Sequence, residues 1–383
     1  MVFRDIKRTC PFCGHVVSLD DCAIVATVSA PLLGGDRFDD IEDELDPKPV
    51  ARTRILVPAK KPEAGGFSRR LRKLPPVTDQ ADAAEIPRRA CTSCQSPLPL
   101  EMDEFDAHVL AIVGLNRAGK TYFLGAALNA ATRNDGLYEF GVTSFTPLDD
   151  TPSRLHNDYY RQLFQNTYAL RSTQVAEHAE KSPLSFLVEF DGAEPFVLVT
   201  HDVSGEALMD RSLRASTADF VSRADAVIFI ADPLDMLHVH EALPTSIAGT
   251  FGGRNLDQPA LLEAVTREII RRRGGRGAPL ALTVSKSDLL SAALGQKFAF
   301  DFPRPGKDWK SEVTEASAAV RSMLLSAGER KLVSLVDRYE PHSYHAISVL
   351  GHGVDSQKPQ PLRVLDPLGT VLEQMRRLQS RAR

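Results

Sequence analysis

The segment Gly114-Leu115-Asn116-Arg117-Ala118-Gly119-Lys120-Thr121 constrains this chain more than any other part of it. It fits G-x-x-x-x-G-K-[ST], follows the apolar run 108–113 and leads into the alanine-rich stretch Lys120–Ala131. The apolar run reads as a buried strand and the alanine-rich stretch as a helix, which is the context in which this pattern binds phosphate. Its glycines let the backbone wind around phosphate oxygens, its amides turn inwards as donors, and the helix aims its positive end at the anion. The candidate contacts are Gly114, Asn116, Arg117, Ala118, Gly119, Lys120, Thr121 and Tyr122. Lys120 is expected to reach the β- and γ-phosphates of a nucleotide, and the Thr121 hydroxyl to bind Mg²⁺.

From about residue 105 onward, strand and helix patterns alternate. Leu184–Phe190 and 196–200 are apolar runs separated by Asp191-Gly192-Ala193-Glu194-Pro195, which reads as a hairpin. Ala226–Ala231, 279–284 and 345–350 are further strand candidates, with helical patterns at about 210–223, 259–273, 310–338 and 366–381. This alternation predicts an α/β fold with three layers, in which helices cover both faces of a mostly parallel sheet and the hairpin adds one antiparallel strand. Together with the phosphate loop it resembles the P-loop NTPase fold.

Three further segments bear on the nucleotide. The second strand of the hairpin runs into Asp202-Val203-Ser204-Gly205-Glu206. An aspartate at the carboxyl end of a strand beside a phosphate loop can hold Mg²⁺ through water, and a glycine three residues later lets an amide approach the γ-phosphate. Ser285-Lys286-Ser287-Asp288 follows a buried strand and resembles the Asn-Lys-x-Asp guanine motif of GTPases. That resemblance lays the Lys286 stem over the base and makes Asp288 the acceptor for the N1–H and exocyclic amine of guanine, a donor pair that adenine lacks. Ser285 departs from the motif, and its missing amide is expected to loosen the tie to the phosphate loop. The structural alternative for Asp288 is a helix cap. The stretch Ser348-Val349-Leu350 resembles the loop whose backbone supports the guanine edge.

Together these matches, over about 106–383, resemble the translation-factor-related (TRAFAC) class of P-loop GTPases, and within it the bacterial double-GTPase families. The resemblance implies GTP and GDP as ligands, and a partner protein such as a second GTPase in a conflict or regulatory system. It also implies a switch threonine completing the magnesium shell. Thr173 fits by position, with Thr143 and Thr146 as alternatives. Glu206 stands where many small GTPases place a water-positioning glutamine, and its charge opposes the γ-phosphate, so slow hydrolysis is expected. The catalytic candidates are Lys120, Thr173, Gly205 and Glu206, with Arg211 or Arg214 available to neutralise charge in cis. The Mg²⁺ candidates are Thr121, Asp202 and Thr173.

The chain has five cysteines. Cys10-Pro11-Phe12-Cys13 and Cys91-Thr92-Ser93-Cys94 are C-x-x-C pairs whose thiolates could share one tetrahedral Zn²⁺, with a redox dithiol as the alternative. Cys22 is expected to be a small buried residue and His15 a surface one. The pairs are much farther apart than in a compact ribbon. Residues 31–88 are acidic and then basic, and rich in proline, so they are expected to be a disordered charged insertion. Added loop length costs little closure entropy, so the insertion is compatible with a zinc ribbon split into 1–30 and 89–104, ahead of a GTPase domain at 105–383.

With 46 basic and 50 acidic residues there is no strong positive field, which makes nucleic acid an unlikely partner. No apolar run approaches the ~20 residues of a membrane span, and the charged N-terminus does not read as an export signal, so a cytoplasmic protein is expected. The sequence thus favours a GTP-binding switch with slow Mg²⁺-dependent hydrolysis. A non-hydrolysing nucleotide-binding scaffold and an ATPase are the alternatives.

Overall fold

The computed structural model describes residues 6–29, 52–57, 88–133, 136–165, 183–209, 220–243, 257–273, 278–294, 308–351 and 359–382. The chain divides into two compact units, Met1–Asp106 and Ala107–Arg383.

The first unit is built around the two cysteine pairs. β1 (Lys7–Thr9) and β2 (Val16–Ser18) form an antiparallel hairpin whose turn carries Cys10 and Cys13. β3 (Ala23–Ser29) pairs on one side with β4 (Arg52–Val57) and on the other with β5 (Arg88–Ala90), which leads into Cys91. β4 lies inside the span expected to be disordered, so that expectation does not hold for these six residues. Ile55, Leu56 and Val57 are good strand formers, but the charge blocks around them hid the pattern. Apart from Arg88, which opens β5, the rest of 31–88 lies outside the described residues. Two arginines close the unit. The Arg8 guanidinium donates to the carbonyls of Met102 (3.0 Å) and Glu104 (2.8 Å) and pairs with Asp106, while Arg89 reaches Leu19 O (2.6 Å) and Asp103 (2.9 Å).

The second unit contains a seven-stranded sheet. Its strands are β6 (Ala107–Gly114), β7 (Val142–Pro147), β8 (Leu184–Phe190), β9 (Ala193–Ser204), β10 (Ala226–Ala231), β11 (Leu280–Val284) and β12 (His342–Ala346), in the order β12-β11-β10-β6-β9-β8-β7. Only β8 runs against the others, since it pairs antiparallel with both β9 and β7, whereas the remaining pairings are parallel. β10 and β11 are buried along their full length, because parallel strands have helices on both faces. Val109, Ala111 and Val113 point into one core with the helices Gln258–Arg273 and Arg330–Val336. Leu110 and Ile112 point into the other, with α1 (Lys120–Ala131) and the helix Leu365–Ala382. This is the three-layer P-loop NTPase fold. The described helices include none long and apolar enough to cross a membrane.

Several details depart from the sequence reading. The helical pattern at 310–338 is two helices, Trp309–Ser326 and Arg330–Val336, the helical stretch from Thr151 to Gln165 and β7 were not expected, and β9 begins at Ala193, inside the expected turn. Of the helical pattern at 210–223, residues 210–219 lie outside the described residues, and the last strand begins at His342 instead of 345. The shift of the last strand frees residues 347–351 to form a loop at the carboxyl edge of the sheet.

Candidate functional site

In an open parallel sheet, ligands gather outside the carboxyl ends of the strands. Here the register puts Gly114 beside Ser204, Asp202 beside Ile112, Gly114 beside Ile230, Ala231 beside Val284 and Val284 beside Ala346. All the segments singled out in the sequence therefore leave the sheet along one edge, with the exceptions described below.

The loop after β6 has the alternating backbone of an anion cradle. Arg117 has φ +63° and Gly119 φ +90°, and Gly119 caps α1 without a side-chain hydrogen bond. Gly114 tolerates no side chain, since a Cβ there would lie 2.6 Å from the carbonyl oxygen of Ile230. Asn116 is exposed and its Oδ1 accepts from the Arg117 amide at 2.9 Å, Ala118 is buried, and Tyr122 is half-buried in the first turn of α1. Lys120 is buried and folds back so that Nζ donates to Leu115 O at 2.9 Å. The cation thus lies across the loop it would serve.

Thr121 and Asp202 meet directly, the threonine hydroxyl donating to Asp202 Oδ2 at 2.9 Å. The other oxygen, Oδ1, is buried and has no hydrogen-bond partner among the described residues. An orphaned carboxylate oxygen in such a place costs free energy, and a hydrated Mg²⁺ would satisfy it, so the donor set fits this cation. Gly205 opens the short helix Gly205–Met209, where a Cβ would meet Gly114 O at 2.7 Å and Leu261 Cδ2 at 2.6 Å. Glu206 follows it in the same helix.

The π-helix Leu155–Gln165 packs Tyr159 and Leu163 on Gly125 of α1, where a Cβ would come within 3.1 Å of Tyr159 Cβ. Burial, and then the charge of Asp202, hold the Tyr159 phenol well above its usual pKa. Tyr159 therefore belongs to the surroundings of Asp202, and nothing in the sequence pointed to it.

Thr173, Arg211 and Arg214 lie outside the described residues. The alternatives to Thr173 are too far away. Thr146 pairs with Leu187, and Leu187 with Val197, five residues before Asp202, or roughly 17 Å along the strand. Thr143 lines a separate cavity of about 300 Å³ with Tyr138, Trp309 and Arg376.

Farther along the same edge, the loops after β11 and β12 interlock. The Ser287 amide donates to Ile347 O (2.9 Å) and the Ile347 amide to Val284 O (2.8 Å). The Ser348 hydroxyl donates to Asp288 Oδ1 at 2.7 Å and accepts from the Gly351 amide at 3.0 Å. Asp288 is thus held by the partner loop. Ser348 also exchanges backbone bonds with Leu362, and the next residue, Arg363 (φ +56°), is pinned by Glu312 and Asp366 at 2.7 Å each. Val349 packs against the core and Leu350 is exposed. Ser285 is buried against Gly119, and Lys286 pairs with Asp232.

The four cysteines form a second centre. The sulfurs of Cys10, Cys13, Cys91 and Cys94 all lie within 4.8 Å of one another, with 3.8 Å between Cys10 and Cys94 and 3.5 Å between Cys13 and Cys91. Four sulfurs about 2.3 Å from a common zinc are about 3.8 Å apart in a tetrahedron, so the cluster fits that ion. The two turns are alike. The Gly14 amide returns to Cys10 O and the Gln95 amide to Cys91 O, with φ +67° and +60°. Burial pushes the Cys10 and Cys91 thiols up, so a cation must displace their protons to bind. Cys22 stands apart, buried and donating to Ser18 O, and His15 is exposed.

No family model matches the chain. It is 26% identical over 337 residues, 78% of its length and 83% of the other's, to a protein of Mycolicibacterium smegmatis provisionally named the ESX-1 scaffolding and assembly protein SaeC. Among solved structures it is similar to the small GTPase Arl6 BBS3 of Trypanosoma brucei with bound GppNp, at 15% identity and TM-score 0.33, covering 71% of this chain and 98% of that one. It is also similar to a chain of the signal recognition particle receptor SRb-GTP/SRX complex of Chaetomium thermophilum, at 14% identity and TM-score 0.31, covering 69% and 97%.

Proposed function

We propose that this protein is a guanine-nucleotide switch of the TRAFAC class, akin to the double-GTPase families, which hydrolyses GTP slowly and presents its nucleotide state to a partner protein in the cytoplasm. The observation that carries the reading is the joining of Asp288 to Ser348 in interlocked loops, with Lys286 two residues away. A carboxylate held in this way is a pre-set acceptor for the paired donors of guanine, and would be left unpaired by adenine.

Gly114, Asn116, Arg117, Ala118, Gly119 and Tyr122 would cradle the phosphates with Lys120. Thr121 and Asp202 would hold Mg²⁺, which neutralises charge between the β- and γ-phosphates. Gly205 would place its amide against the γ-phosphate, and Thr173 would close the shell in the triphosphate state. Glu206 would orient water poorly because of its charge, which gives a slow timer. Zn²⁺ on Cys10, Cys13, Cys91 and Cys94 would hold the ribbon together.

A second reading, a nucleotide-binding scaffold without turnover, is favoured by the resemblance to a protein named for scaffolding and assembly. One measurement separates the readings: the nucleotide content and phosphate release of a single preparation of the full chain. Bound GDP with slow release of phosphate from GTP is the expected result. Bound nucleotide without release supports the scaffold, and equal use of ATP removes the guanine assignment.

A further inference from the structure

Ser285 stands where the guanine motif has asparagine, so the anchoring of the base loop needs another source. Ser285 does not supply it to the phosphate loop. Its amide (3.0 Å) and hydroxyl (3.3 Å) both donate to Ala231 O, and its hydroxyl oxygen lies 3.8 Å from where a Cβ on Gly119 would stand. The next residue, Lys286, has φ +51°. A left-handed conformation is unfavourable for lysine and persists only where the surroundings fix it.

Backbone bonds on either side hold that turn, from the Ser285 amide to Ala231 O and from the Ser287 amide to Ile347 O, and Asp232 holds the side chain. Its Oδ2 lies 2.5 Å from Lys286 Nζ, and its Oδ1 accepts from the Leu234 amide at 3.0 Å. The buried side chain of Gln258, from the start of the helix Gln258–Arg273, clamps the Asp232 backbone, accepting from its amide at 2.8 Å and donating to its carbonyl at 3.0 Å. All four polar atoms of Asp232 are therefore engaged, and the side chain is only 5% exposed. Capping at Leu234 alone would need no charge, and an ionised carboxylate at this depth is costly unless it is paired. The charge is explained by Lys286.

We propose that Asp232, held in place by Gln258, is a positioning residue for base recognition, fixing the Lys286 stem over the purine and replacing the anchor that Ser285 lacks. The inference rests on the guanine-nucleotide reading. Gln258 would act one step further back, so the helix that carries it is coupled to the base site.

The test is a double-mutant cycle on release of fluorescent GDP from the full chain. Asp232→Asn can still cap Leu234 but gives up the charge, and Lys286→Met removes the ammonium while keeping a stem. Each is expected to speed release about tenfold, the worth of one charge-assisted hydrogen bond. The double variant should release GDP no faster than Lys286→Met alone, because the two changes delete one interaction. Release about a hundredfold faster in the double variant, or no change in Asp232→Asn, would overturn the proposal. If Asp232→Asn does not fold, Gln258→Asn paired with Lys286→Met gives the same cycle, with the same non-additive outcome expected. An unaltered chain that fails to bind GDP would remove the guanine reading and this inference with it. An unaltered chain that binds GDP but gives an additive cycle removes the inference alone.

Discussion

Gly205→Ala tests the phosphate end of the site, because the structure shows what the added methyl would meet. The new Cβ would lie 2.7 Å from Gly114 O and 2.6 Å from Leu261 Cδ2. Leu261 is buried in the core and Gly114 O belongs to the backbone of β6 at the mouth of the phosphate loop, so the start of the helix Gly205–Met209 must move. Overpacking of this kind costs about 1–3 kcal/mol, or roughly 2–10 °C in melting temperature for a unit of this size. If the Gly205 amide meets the γ-phosphate, its displacement also costs a hydrogen bond to a charged group, about 1.5–3 kcal/mol, which weakens GTP binding about tenfold to a hundredfold. GDP has no γ-phosphate for that amide to meet, so its loss of affinity should be much smaller than that of GTP. Titration with fluorescent GTP and GDP in Mg²⁺, alongside a melting curve, reads both effects. Equal loss of both nucleotides would refute the γ-phosphate role and leave Gly205 as a packing residue only.

Other parts of the molecule give independent tests. Asp288→Asn should weaken GDP binding about a hundredfold or more and favour xanthosine diphosphate, whose carbonyl matches the new amide donor; unchanged GDP affinity removes Asp288 from the site. Metal analysis should find about one zinc per chain, lost in Cys10→Ser together with protease resistance of the first unit; a metal-free, resistant chain refutes the ribbon. His345 is buried and its pKa is lowered to about 3, by burial first and then by Arg363, so the folded chain refuses a proton that the unfolded chain takes up. Its contribution to stability is complete above pH 6.5 and is lost as the pH falls towards 3, by on the order of 5 kcal/mol in full, and His345→Gln should flatten that part of the pH profile. Asp366, pushed up to about 6 by burial, acts with the opposite sign as the pH falls below 6, so the comparison has to be with His345→Gln rather than with a bare acid titration.

The legible features were those whose chemistry is local. Gly114 and Gly119 are required by the backbone itself, and Thr121 and Asp202 meet because β6 and β9 are neighbours, which the alternating pattern implied. β7 was not legible because its register shifts between Val142 and Ser144, and that irregularity spoils the alternation of Val-Thr-Ser-Phe-Thr. Gln95 takes the same left-handed turn as Gly14 without a glycine to announce it. Asp232 and Gln258 gain their roles only by meeting across 26 residues of chain, and neither carries a local pattern that predicts the meeting.

The helix Gln258–Arg273 touches both ends of the proposed nucleotide site within its first turn. Gln258 clamps Asp232, which holds Lys286 at the base, while Leu261 packs against Gly205 beside the phosphate loop. A helix is stiff over one turn, so a shift of Gly205 that presses on Leu261 is transmitted to Gln258. Gly205→Ala should therefore also speed GDP release, although GDP has no group for the Gly205 amide to meet, and the extra release should disappear once Lys286→Met has cut the far end of the linkage. Leu261→Ala in the Gly205→Ala background removes one of the two clashes. It should return GDP release towards that of the unaltered chain while GTP binding stays weak, since the clash with Gly114 O is untouched. Recovery of both nucleotides together would mean that Leu261, and not the phosphate-loop carbonyl, is what fixes Gly205. Recovery of neither would mean that the helix does not link the two ends.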